Sequence, residues 1–161
     1  MSFKSAVITF PGSNCDRDAL CYLKDLTKGE VHNIWHEETS LPKVDLVILP
    51  GGFSFGDYLR SGAMASKSKI IDEVVKHAND NRYLLGICNG FQILTESGFL
   101  PGALITNKNL NFICDEVDLK VTSSKGGWFR KIEEKIAWKN PETTDELSLI
   151  HISEPTRRTP I

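Results

Sequence analysis

The sequence predicts an α/β protein built on an open, mostly parallel sheet with helices on both faces. Three observations carry that expectation. Short apolar runs alternate with amphipathic stretches through the first hundred residues, in the order strand, helix, strand, strand, helix, strand, helix. The runs within 45–49 and 83–87 are continuously apolar rather than alternating, as strands covered on both faces are. Three runs break at turn-forming or small residues: Pro11-Gly12-Ser13-Asn14-Cys15, Pro50-Gly51-Gly52-Phe53-Ser54 and Gly86-Ile87-Cys88-Asn89-Gly90.

The elements follow in order. Ser5-Ala6-Val7-Ile8-Thr9-Phe10 is rich in strand formers and stops at the first turn cluster. Asn14 or Asp16 can cap the next helix, where Ala19, Leu20, Leu23 and Leu26 recur at helical spacing until Gly29 ends the run. Residues 31–35 form a weaker strand, and 45–49 a buried one that breaks at Pro50-Gly51-Gly52. Ile70, Ile71, Val74, Val75 and Ala78 then lie on one helical stripe, with Asp72, Glu73, Lys76 and Asn79 opposite. The strand over 83–87 leads through Cys88-Asn89-Gly90 into a helix over 91–97.

Length and charge bound the function. A chain of 161 residues is one domain's worth, since domains run to about 100–200 residues. Its 19 Lys and Arg against 21 Asp and Glu leave a net charge of −2, with no excess of cations to neutralise the phosphates of a nucleic acid or an anionic membrane surface. No apolar run approaches the roughly 18–20 residues of a membrane span. The chain enters its first strand without a signal-peptide layout, which points to the cytoplasm. Cys15, Cys21, Cys88 and Cys114 form no CxxC pair, so reduced thiols and no structural zinc are expected.

In a parallel sheet the three strand-end loops open on one edge, where the working site of such folds lies. Gly86-Ile87-Cys88-Asn89-Gly90 has the spacing of a nucleophile elbow, G-x-C-x-G. Cys88 would then stand at the N-terminus of a helix, where the dipole and free N–H groups favour a thiolate. The N–H of Asn89 would face a developing oxyanion, and a bare N–H from Gly52 would supply a second donor. The plain alternative is a small cysteine buried at a strand end beside an ordinary glycine turn. His32 and His36 are weak candidates for a base, His77 falls among solvent-facing positions, Cys15 is expected as a buried thiol and Cys114 as strand core. Asp57 and Arg60 are expected to pair and hold the loop after Ser54. No GxxxxGK[ST] or GxGxxG phosphate loop occurs.

Phe10-Pro11-Gly12-Ser13-Asn14-Cys15-Asp16, Pro50-Gly51-Gly52-Phe53-Ser54-Phe55-Gly56-Asp57-Tyr58-Leu59-Arg60 and Leu85-Gly86-Ile87-Cys88-Asn89-Gly90-Phe91-Gln92 resemble the glutaminase subunits of phosphoribosylformylglycinamidine synthases, which are class I glutamine amidotransferases of purine biosynthesis. The resemblance runs from about residue 5 to about residue 121. It implies a flavodoxin-like glutaminase with Cys88 as nucleophile, Gly52 and Asn89 as backbone oxyanion donors, and Gln92 holding the substrate. It also implies L-glutamine as substrate and a large synthetase subunit as partner, with a small accessory subunit as an option. The synthetase uses ATP and magnesium to convert formylglycinamide ribonucleotide to the amidine; no cofactor is expected in this chain.

The resemblance fades beyond Thr122. Residues 1–122 are read as the amidotransferase portion, 123–146 match nothing assignable, and 147–161 resemble an in-frame translation of a sequencing-library adapter, an artefact tail expected to be disordered. The family's C-terminal histidine and glutamate, two residues apart, are not found there; Glu154 lies three beyond His151. Losing triad members costs about 10⁴–10⁶ in rate, so the chain as written is expected to be nearly inactive. Two rivals remain open: a non-catalytic, flavodoxin-like binding module in which Cys88 is structural, and a thiol hydrolase using His32 or His36.

Overall fold

The computed structural model describes residues 3–105 and 107. Cys114, His151, Glu154 and the segments 123–146 and 147–161 lie outside them. Four strands form one sheet: β1 (Lys4–Thr9), β2 (Glu30–Trp35), β3 (Leu46–Leu49) and β4 (Tyr83–Gly86). All neighbours are parallel, in the order β2-β1-β3-β4. Ser5 stands opposite Val31 on one side and Leu46 on the other, and Leu46 in turn opposite Tyr83. Because β2 and β3 flank β1 on opposite sides, the winding reverses at β1, and it is beyond the carboxyl ends of the strands at such a reversal that sheets of this kind bind ligands.

Three helices cover this sheet: α1 (Asp16–Thr27), α2 (Ile70–Asn79) and α3 (Asn89–Glu96). Strand side chains alternate between faces. Ala6, Ile8, Val47 and Leu49 pack with Ile70, Val74, Ile93 and Leu94 on the side of α2 and α3, while Val7, Leu46 and Ile48 pack with Leu23 on the side of α1. Short 3₁₀ turns at Ser54–Asp57 and Ala65–Lys67 bridge β3 and α2. Among the described residues no helix is long and apolar enough to cross a membrane.

Several expectations change in detail. Neither Asn14 nor Asp16 caps α1. Asp16 is its first residue and Cys15 precedes it without a side-chain cap; Asp16 and Asp18 instead put negative charge in the first turn, where the dipole favours it. Lys28, in the left-handed region at φ 52°, ends this helix just before Gly29. Leu26 points outward at 64% exposure, so the apolar stripe is narrower than its spacing suggests. β4 ends the sheet among the described residues and leaves Tyr83 exposed, rather than forming a fully covered strand. The last helix begins at Asn89, two residues before the predicted start.

Candidate active site

The three strand-end loops converge as the parallel arrangement requires. Ser13 and Gly52 form an isolated antiparallel bridge. Around it the N–H of Cys15 donates to the Gly51 carbonyl at 3.3 Å, and that of Phe53 to the Gly12 carbonyl at 3.2 Å. Ile87 donates to the Leu49 carbonyl at 3.0 Å, extending the β3–β4 pairing into the third loop. A Cβ placed on Gly51 would lie 3.4 Å from the Cβ of Cys88 and 3.7 Å from the Sγ of Cys15. Cys88 therefore sits against the diglycine bend, half-buried, and Cys15 adjoins the same spot. The Cys15 thiol is exposed, not buried.

Cys88 has φ 52° and ψ −110°, outside the regions a non-glycine residue occupies without strain. The packing behind it holds the turn. A side chain at Gly90 would run into the carbonyl of Leu49, and one at Gly86 would come within 2.8 Å of the Gly90 backbone. The flanking residues are thus glycine because α3 sits directly on the ends of β3 and β4. At Gly52, φ is +129° and a Cβ would lie 2.5 Å from the Asn14 nitrogen, so only glycine fits the bend. No hydrogen bond among the described residues claims the N–H of Gly52 or of Asn89.

A polar network behind the elbow joins the loop after β3 to α3. The Ser54 N–H donates to Asn89 Oδ1 at 3.2 Å, and Asn89 Nδ2 donates to Gln92 Oε1 at 3.0 Å and to Asp57 Oδ1 at 3.4 Å. Asn89 and Gln92 are both buried. The expected Asp57–Arg60 pairing gives way to a two-pronged bond from Arg60 to Glu96 on α3, at 2.9 and 2.6 Å. That bond holds the Glu96 carboxyl below the usual range. The Asn89 side chain is a contact that sequence reasoning missed, having weighed only its backbone; its i,i+3 spacing to Gln92 on a helix was the available signal.

The histidines are engaged elsewhere. His77, expected in solvent, is buried, and its Nε2 lies 2.9 Å from the Tyr83 carbonyl. Burial pushes its pKa below the usual 6.5, outweighing the carbonyl contact that raises it. His36 is also buried and lowered, packed on Phe10, Trp35 and Phe55 with Nδ1 3.2 Å from the Ser68 hydroxyl. Glu38 lies two residues beyond it, but accepts from the Trp35 N–H instead. His32 contacts Glu30.

A strained cysteine between a strand and a helix, set against a diglycine bend at the edge of a parallel sheet, has the geometry of a nucleophile elbow. A CobB/CobQ-like glutamine amidotransferase domain profile matches residues 2–137, and the chain belongs to that family. Within it, the chain is 57% identical over 133 residues to the phosphoribosylformylglycinamidine synthase subunit PurQ of Prochlorococcus marinus subsp. pastoris, a match spanning 83% of this chain and 60% of that protein. The PurQ subunit of Thermosynechococcus vestitus is 49% identical over 135 residues, 84% of this chain and 56% of that one. A solved structure of PurLQS from Thermotoga maritima contains a chain with TM-score 0.64 and 47% identity, covering 73% of this chain and 55% of that chain. The chain thus spans less than two thirds of the length of these relatives.

Proposed function

We propose that Cys88 is the nucleophile of a glutaminase that hydrolyses L-glutamine to glutamate and ammonia, and that the ammonia serves a large synthetase subunit making formylglycinamidine ribonucleotide in purine biosynthesis. The observation that carries this reading is the placement of Cys88 at a strained strand-to-helix turn, against Gly51, with the N–H groups of Gly52 and Asn89 unclaimed among the described residues. The thiolate attacks the side-chain amide carbon and forms a C–S bond, while negative charge moves onto the amide oxygen. The two N–H groups stabilise that charge where it develops. The C–N bond then breaks, the nitrogen takes a proton and leaves as ammonia, and water cleaves the glutamyl thioester to free the thiol. Gln92 holds the substrate. ATP and magnesium belong, on this reading, to the synthetase, and the protein works in the cytoplasm.

The described histidines have other partners, so the described residues supply nucleophile and oxyanion donors without a base. Beyond Thr122 the sequence holds no histidine and glutamate two residues apart, and on that ground the 161-residue chain is expected to be alkylated at Cys88 but to turn over glutamine about 10⁴-fold or more below a complete triad. The test is competitive labelling with acivicin, a glutamine-analogue electrophile, followed by peptide mapping. Cys88 should react well ahead of Cys15 and Cys21, and excess glutamine should protect it. Equal labelling of the three thiols, with no protection, would support a binding module with a structural cysteine instead.

A further inference from the structure

Resting on that glutaminase reading, we infer that the side chain of Asn89 is a positioning residue that fixes which end of the Gln92 amide is offered to substrate. A backbone N–H only donates. The Ser54 N–H lies 3.2 Å from one end of the Asn89 amide, so that end is the oxygen. The other end is then an NH₂, which only donates. It meets Gln92 at 3.0 Å and the Asp57 carboxylate at 3.4 Å. A carboxylate oxygen accepts, in agreement, and Gln92 must turn its own oxygen toward Asn89. The Gln92 NH₂ is left outward, and no described residue accepts from it. An isolated glutamine amide can flip at little cost. Here a flip sets NH₂ against NH₂ in a site where Asn89 is 2% and Gln92 8% exposed, too dry for water to replace the lost bond cheaply. The loop after β3 therefore decides, through one asparagine, that the group presented is a donor. That suits a carboxylate or carbonyl oxygen of an amino-acid substrate.

The inference is tested by the acivicin concentration that gives half the maximal rate of Cys88 alkylation. It is measured in the 161-residue chain and in Asn89→Ala, Gln92→Ala and the double variant. If Asn89 acts through Gln92, Asn89→Ala raises that concentration about tenfold in the parent background but less than about twofold when Gln92 is already alanine. A merely structural asparagine gives the same rise in both backgrounds, and that result, or no rise at all, overturns the inference. Asn89→Asp keeps the acceptor for Ser54 and loses the donor to Gln92. It should raise the half-saturating concentration by as much as the alanine variant, and it decides the matter if Asn89→Ala loses its helical circular dichroism. Parent-like half-saturation in a folded Asn89→Asp protein also overturns the inference. Failure of the parent chain to saturate with acivicin at Cys88 is a different result: it removes the glutaminase reading itself, and the inference with it.

Discussion

The two faces of the sheet are covered unequally. Beneath α2 and α3, the side chains of Ile8, Val47 and Leu49 meet Ile70, Val74 and Ile93, all six 5% exposed or less. Beneath α1, Val7 and Ile48 meet Leu23 and the half-buried Ala19 and Leu20, while Tyr22 and Leu26 of the same helix are about two thirds exposed, at 66% and 64%. The strands place Ala6, Ile8, Ile34, Val47 and Leu49 on the first face and Val7, Leu46 and Ile48 on the second, and the helices widen that difference. The elbow is built on the well-covered face. A non-glycine residue at φ 52° persists only where its surroundings over-determine it, and the contact of Gly90 with the end of β3 provides that support.

The largest effect is expected at this contact. Gly90→Val drives a side chain into the Leu49 carbonyl and should cost more than about 3 kcal/mol. It should also abolish selective acivicin labelling of Cys88; urea melts and peptide mapping check the two effects. A loss below about 1 kcal/mol would show that α3 is not seated on β3 as described. Next, Ile70→Ala should cost about 3–4 kcal/mol and Leu23→Ala about 2 kcal/mol, because the α1 face has less packing to lose. Equal losses in paired urea titrations would erase the contrast between the faces.

The buried histidines sharpen it through pH. His77 is on α2, and His36 packs on Phe10 and Phe55, so both belong to the well-covered side. Burial holds each below 6.5 in the folded chain, so as pH falls the unfolded chain takes up protons first. Their contribution is complete above that value and is lost as pH drops below it. The urea midpoint should fall between about pH 7.5 and pH 5.5, near and below the usual histidine pKa, and His77→Gln should flatten that dependence. A midpoint that rises on acidification contradicts the burial of both rings. The smallest effect is expected for Arg60→Ala: its bond to Glu96 is solvent-facing on the arginine side and worth little in salt. Its melting temperature should stay close to the parent's.

Much of the site was legible because its demands are local. Gly86, Cys88 and Gly90 stand at fixed spacing, and the backbone of a strand-to-helix turn imposes that spacing whatever lies around it. Gly51 and Gly52 were equally visible as a bend after a continuously apolar strand. The partners that steady the loop were not. Ser54 meets Asn89 across 35 positions and Arg60 meets Glu96 across 36, and no periodicity connects such residues. The expectation for Arg60 failed for this reason: Asp57 is the nearest acid in the chain, but α3 brings a better-placed one. His77 was misplaced because helical spacing alone put it among solvent-facing positions, whereas β4 lies against that side of α2.

What the sequence determined by itself is the order of strands and helices, the places where the chain must turn, and the residue that stands at the sharpest turn. Side-chain alternation, helical spacing and the steric freedom of glycine act over a few neighbouring residues. Only the tertiary structure decided the strand order β2-β1-β3-β4, which gathers the three loops, the amide orientation that Ser54 imposes on Asn89 and Gln92, and the burial of His36 and His77. Each of these depends on groups far apart in the chain, and their contact energies exist only once the sheet has formed.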